Sequence, residues 1–290
     1  MNEAVVLEPL VKTNKRATRW YLFHNFNFVV GTVILIALIF ITVFAARIAP
    51  YNVNQANPTQ TFISPNSEHL MGTDNIGRDI FSRFVFGGRV SLIIGLAAML
   101  IGMALGTGIG IIAGFYGSWV DSILSWMTEI LMAFPGMLLA LTVMAILGPG
   151  ISNVIIAVGI GSTPSFMRMA RSEVLKTREM DYIEAARSIG CTDARILFLH
   201  ILPNIISPLI VLATLGIGGA ILEGSSLSYL GLGAQPMTPE WGAMLSLGRA
   251  YLNNAWWISI FPGIGILLAI LSINMIGEGL SQVLDPLANC

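Results

Sequence analysis

The sequence predicts an all-α, polytopic membrane protein with six transmembrane helices, and three observations carry that prediction. The 290 residues are 55% hydrophobic and only 11% charged, against roughly 25% charged in an ordinary globular chain. The apolar residues gather into six windows almost free of charge. A bilayer core about 30 Å thick needs roughly 20 such residues at 1.5 Å each. Lys and Arg crowd the tail before the first window and the segment between the fourth and fifth. The same composition excludes a disordered chain and a disulfide scaffold. A net charge of −1 leaves no basic surface for nucleic acid. Cys191 and Cys290 have no neighbours at zinc-finger spacing, and His24 and His69 are spaced for no metal site.

Taken in order, residues 1–27 read as a tail, 28–47 as the first transmembrane helix and 48–90 as an external loop. The first helix is too long for a signal peptide, and no small-residue cleavage site follows it. Residues 91–280 form the core with five further spans, and 281–290 a second tail. The second span lies between Arg89 and Asp121, the third runs over about 122–147, and Gly148-Pro149-Gly150 turns the chain into a fourth that ends near Met167. The fifth covers about 205–222 and the sixth about 257–277, with Trp256 and Trp257 suited to the headgroup level. Lys12, Lys15, Arg16, Arg19, Arg168, Arg171, Lys176, Arg178, Arg187 and Arg195 share one side, against Arg47, Arg78, Arg83, Arg89 and Arg249 on the other. The positive-inside bias therefore places both termini in the cytoplasm.

Gly102, Gly106, Gly110 and Gly114 recur every four residues and clear one face of the second span. Such a stripe reads first as a packing face, within this chain or against a partner; the other reading is a substrate path. Residues 168–204 form a loop rich in both signs of charge where charge is otherwise scarce. Asp181 to Leu199 supports a helix interrupted at Gly190, resuming after a Thr192 or Asp193 cap and ending at Pro203. A bend between two helices needs a conformation that glycine reaches at low cost.

In that loop Glu184-Ala185-Ala186, then Gly190, then Leu202-Pro203 resemble the EAA loop of permease subunits of ATP-binding-cassette importers. Further blocks resemble one branch, the C-type permease subunit of dipeptide, oligopeptide and nickel importers. These are Gly72-Thr73-Asp74 with Gly77-Arg78-Asp79, Tyr229-Leu230-Gly231-Leu232-Gly233, Pro239-Glu240-Trp241-Gly242, Phe261-Pro262-Gly263, Asn274-Met275-Ile276-Gly277 and Leu284-Asp285-Pro286. Trp126, Glu129 and Glu278 stand where that branch more often has Arg, Asp and Asp.

The resemblance implies a type I importer permease fold and a role for Tyr182, Glu184, Ala185, Ala186, Gly190, Leu202 and Pro203 in coupling to an ATPase. It also implies the partners: a second, similar permease, two ATP-binding subunits that use ATP and magnesium, and an extracytoplasmic binding protein, all around a chain embedded in lipid. The cargo it implies is a di- or oligopeptide, with nickel or a metal chelate as the alternative.

Other residues keep two readings each. Glu129 either lines the translocation path or is a carboxylate near the cytoplasmic headgroups or paired with a partner subunit, since an unpaired charge in a span is costly; Glu223, at the outer end of the fifth span, has the same two readings and with Ser225, Ser226 and Ser228 could face a polar cavity. Asp74, Arg78 and Asp79 either contact a delivery protein or tie their own loop together. Trp241 is either an interfacial anchor or a partner contact.

No G-x-x-x-x-G-K-[ST] loop is present to cradle a nucleotide phosphate, so the energy source must be a partner. No internal repeat suggests a self-sufficient secondary transporter. H-E-x-x-H and G-x-S-x-G, which would suggest an intramembrane enzyme, are absent. The chain therefore reads as a non-catalytic transport subunit without a cofactor of its own, working by alternating access.

Overall fold

The computed structural model describes residues 25–235 and 237–284. The basic tail of Lys12, Lys15, Arg16 and Arg19, together with His24, Asp285-Pro286 and Cys290, lies outside the described residues. Among the described residues the regular structure is helical, apart from an isolated antiparallel bridge between Thr73 and Asp79.

Helix α1 spans Phe26–Val43, and the side chain of Asn25 accepts from Phe28 N to cap it. A short α2, Ala45–Ile48, leads into an irregular segment broken only by the turn Pro58–Gln60. Helix α3 is Ile80–Tyr116, 37 residues long, and begins before Arg89 because Asp79 Oδ2 caps it through Ser82 N at 2.7 Å. At 1.5 Å per residue it is longer than a bilayer core is thick, so one end extends past the hydrocarbon. Arg89, expected at the edge of a loop, instead donates from α3 to the final carbonyls of α1, with Nη2 3.1 Å from Thr42 O and 3.0 Å from Val43 O.

The expected third span is two helices, α4 (Ser118–Ala133) and α5 (Gly136–Leu147), bent by 96° at Phe134-Pro135. Pro135 has no N–H to continue α4 and disfavours helix at the residue before it, so the chain turns there. Helix α6 is Ile151–Arg178, and α7 is Asp181–Ser188. Helix α8 is Asp193–Ile196, followed by a wide π turn, Leu197–Ile201, that runs into α9, Leu202–Tyr229. Helix α10 is Trp241–Gly248 and α11 is Trp257–Leu284.

Among the described residues, four helical stretches are long and apolar enough to cross a membrane, or five with the bent pair α4–α5 taken as one span. Helix α6 is not among them. Its first half carries Ser152, Asn153, Ser162, Thr163 and Pro164 and its second half Ser165 and five charged residues. Its neighbours account for that composition, because α6 lies between α3 and α9 and buries Val154, Ala157, Val158, Phe166, Met167, Ala170 and Val174.

The glycine stripe explains the approach of α3 and α6. A Cβ on Gly102 would stand 2.9 Å from Ser162 Cβ, one on Gly106 would meet Thr163 O, one on Gly110 would stand 2.5 Å from Met167 O, and one on Gly114 2.9 Å from Val174 Cβ. The packing reading of the stripe therefore holds, inside one chain. Dispersion and close backbone contact drive helix association where lipid removes the hydrophobic difference. Asp121 on α4 and Arg171 on α6 add a two-pronged ion pair, Arg171 Nη2 to Asp121 Oδ2 at 2.6 Å and Nε to Oδ1.

A second cluster joins α1, the start of α3, α10 and α11 around Trp241, Phe84, Trp257 and Ile266. Helix α1 reaches α11 at Gly31, where a Cβ would stand 2.7 Å from Met275 Cβ.

Candidate functional site

The loop leaves α6 at Arg178, whose Nη1 donates to Gly114 O at 2.8 Å and so fixes the end of α6 to the end of α3. Helix α7 has one inward face, Ile183 and Ala186, both buried. Its other face presents Tyr182, Glu184, Ala185 and Arg187. Arg187 lies over the Phe115 ring, 5.4 Å from its centroid, which fixes the roll of α7 against α3. Glu184 sits in the first turn, where a carboxylate favours the positive end of the helix.

The end of α7 has the double hydrogen bond of a Schellman cap: Gly190 N donates to Arg187 O at 2.9 Å and Cys191 N to Ala186 O at 3.0 Å. Gly190 has φ +83° there, and a Cβ on it would meet nothing within 4 Å. The conformation selects glycine, and the space beside it is open. Thr192 then caps α8, its hydroxyl accepting from Arg195 N.

The chain does not end its helix at Pro203. The π turn carries Leu202 N to Leu197 O, and Pro203 falls in the opening turn of α9, where no intrahelical N–H is required. Asn204 Nδ2 donates to Tyr182 Oη at 3.2 Å, tying α7 to the base of α9. Leu202 is half-buried and Pro203 exposed. Around this knob Ile189 is 81% exposed, Phe198 69% and Leu199 60%, an apolar rim that the chain itself leaves uncovered.

A second feature lies within the bundle. The α4–α5 bend, α6 and α9, with Met99 of α3, line an open cavity of about 350 Å³. Gly136, Gly161, Gly216 and Gly219 form much of its wall, together with Ser162, Ser165 and Glu223. Sequence reasoning missed these glycines because no regular spacing joins them; they meet only when three helices converge. Glu223 reaches the cavity, whereas Glu129 lies on the exposed face of α4 and is not in its lining.

The segment before α3 forms its own small framework. Asp74 Oδ2 accepts from Arg78 Nε at 2.6 Å, and Asp74 Oδ1 accepts from the backbone N–H groups of Ile76 and Arg78. Asp79 Oδ1 lies 2.9 Å from His69 Nδ1. Trp241 is fully buried, donates from Nε1 to Phe84 O at 2.9 Å and stacks on the Phe84 ring. Asp74, Arg78 and Asp79 are each at most 4% exposed. These four residues thus tie the fold together, and the reading of them as partner contacts gives way because they offer no surface.

Glu240, not singled out by the sequence, is also fully buried. Its carboxylate caps α10 by accepting from Gly242 N at 2.9 Å and Ala243 N at 2.8 Å. Burial raises its pKa above the ordinary carboxylate value, against the opposing effect of these donors. Among the described residues, no group of three or more His, Cys, Asp or Glu could hold a metal ion.

Residues 106–289 match the family described as binding-protein-dependent transport system inner membrane component. Residues 15–65 match the N-terminal TM domain of oligopeptide transport permease C. The dipeptide transport system permease protein DppC of Alkalihalophilus pseudofirmus is 46% identical over 258 residues, covering 89% of this chain and 85% of that protein. The glutathione transport system permease protein GsiD of Escherichia coli O157:H7 is 44% identical over 284 residues, covering 96% and 94%; its counterpart in Pectobacterium atrosepticum is 41% identical over 285.

Among solved structures, a chain of the inward-facing MetNI methionine ABC transporter superposes with a TM-score of 0.56 at 17% identity, covering 70% of this chain and 96% of that one. A chain of an amino acid ABC transporter with histidines superposes with a TM-score of 0.51 at 16% identity, covering 71% and 93%. These two likenesses show the fold. With a family match over most of the chain and full-length relatives above 40% identity, the chain belongs to the binding-protein-dependent transport system inner membrane components, as a non-catalytic permease subunit of an ABC importer in the peptide and nickel transport branch.

Proposed function

We propose that this chain forms half of the membrane pathway of an importer for short peptides. The substrates named for its relatives, dipeptides and the tripeptide glutathione, support that class. In this reading the chain crosses the membrane six times, with α4–α5 as one broken span, α6 as a span shielded by its neighbours, and both termini in the cytoplasm. It works beside a second, similar permease, with two ATP-binding subunits that consume ATP and magnesium and an external binding protein that delivers cargo.

The observation that carries the reading is the knob of α7, Gly190 and α8. Its first helix is tied to α3 by Arg187 and to α9 by Asn204, beside the Arg178 bond that joins the ends of α6 and α3, and an apolar rim of Ile189, Phe198 and Leu199 is exposed beside it. An exposed knob with a charged face and an apolar rim suits a groove on a moving ATPase, because motion applied to it passes to the helices it is tied to. ATP binding in the partners would shift the knob and tilt the spans to open the path outward, and hydrolysis would reverse the shift.

The test is uptake of labelled di- and tripeptides, glutathione included, by cells with and without this chain, at substrate levels too low for other routes to contribute. Uptake lost on deletion and restored by the wild-type chain supports the reading. Peptide uptake indifferent to the chain, with nickel uptake dependent on it, would replace peptides by metal as the cargo.

A further inference from the structure

Among the described residues, Glu223 is the one ionisable side chain in the lining of the cavity between the α4–α5 bend, α6 and α9. It is half-buried, and among the described residues no ion pair or hydrogen bond engages its carboxylate. Oε1 lies 3.5 Å from where a Cβ on Gly136 would stand, so the absence of a side chain at the bend keeps the carboxylate open to the cavity. The facing wall is neutral. Ser162 donates its hydroxyl to Val158 O at 2.9 Å within its own helix, Ser165 adds a second hydroxyl, and the remaining lining is glycine or apolar. An ionised carboxylate without a counter-charge, beside low-dielectric walls, makes the potential around it negative.

We propose that Glu223 sets a charge preference in this cavity, favouring substrates that carry an additional ammonium group over those that carry an additional carboxylate. One carboxylate beside two serine hydroxyls in an otherwise apolar and glycine wall gives an ammonium a counter-charge and an acceptor with no competing cation in the lining. It is a poor set for a divalent metal, which takes six or more oxygens or a cluster of nitrogen and sulfur ligands. The inference rests on the reading of the chain as a peptide pathway.

The test uses the whole importer, with its partner subunits and binding protein, reconstituted in proteoliposomes with ATP inside the compartment that the ATPases face. Uptake of three labelled dipeptides of equal length is measured: Ala-Lys, Ala-Ala and Ala-Glu. Each rate is taken as the ratio of variant to wild type, so that selection by the unchanged binding protein cancels. E223Q should lower the Ala-Lys to Ala-Glu ratio by about tenfold, the effect of one charge contact at cavity range, while E223D keeps it near wild type.

Equal losses for all three peptides would overturn the proposal and assign Glu223 a structural role, or a cation on the second permease as its partner. Unchanged ratios in an active E223Q complex would overturn it as well. A wild-type complex that transports none of the three peptides would instead sink the peptide reading itself.

Discussion

Ser91 and Glu240 stand 149 residues apart and share a hydrogen bond, Ser91 Oγ donating to Glu240 Oε1 at 2.9 Å. The same carboxylate caps α10, and Ser91 Oγ in turn accepts from Trp241 N at 3.2 Å. One buried acid therefore joins α3 to the turn that starts α10, next to the Trp241 ring stacked on Phe84. Removing it leaves two helix-start N–H groups and a serine hydroxyl buried without their acceptor.

E240A is expected to destabilise the chain by about 2–4 kcal/mol, the sum of a lost cap and an orphaned buried donor. E240Q, which keeps the shape and one acceptor oxygen, should lose less. Thermal unfolding of the detergent-purified importer reads this directly, and a melting temperature unchanged in E240A would show that water replaces the carboxylate.

The glycine stripe separates packing from lipid contact on a single helix. G106L drives a side chain into Thr163 O and Phe166 on α6, while at Gly108, two residues on, a Cβ would meet nothing within 4 Å. Overpacking a tight interface typically costs 1–3 kcal/mol or more, so G106L should sharply reduce the amount of folded chain in the membrane and G108L should not. Equal yields of the two variants, measured by fluorescence-detected gel filtration, would mean that α3 and α6 separate without loss.

At Gly190 the backbone and the space around it point to different costs. A non-glycine residue in this left-handed conformation costs about 1–2 kcal/mol, too little to unfold the bundle, and its side chain would enter open space. G190R is therefore expected to abolish peptide uptake and pull-down of the ATP-binding subunits while the chain still inserts. G190N, which tolerates the left-handed region, should keep much of the activity. Normal uptake by G190R would remove the knob from the coupling path.

The helical spans and the loop were legible because their signals are local. Charge-poor windows marked the bundle, and Ala185-Ala186 with Gly190 and Thr192 marked a helix, a left-handed stop and a new cap, as the Schellman geometry now displays. The break at Phe134-Pro135 had a local signal too, the proline, but a 26-residue apolar run over 122–147 concealed it. Pro203 misled in the opposite sense. Its missing N–H stops a helix only where that N–H is needed, and the π turn before it removes the need.

The sequence by itself determined the class of protein, the positions of most helices, the conformation at Gly190 and the family to which the chain belongs. The first three follow from composition, periodicity or adjacent residues, and the family from the resemblance of short motifs such as Glu184-Ala185-Ala186 with Gly190. Only the tertiary structure decided that the glycine stripe of α3 faces α6, that Asp74, Arg78, Asp79 and Trp241 are interior, and that Glu223 rather than Glu129 enters the cavity. Helical periodicity states which residues share a face but not what that face meets. That is settled by contacts between residues far apart in the chain, which form only when the helices pack.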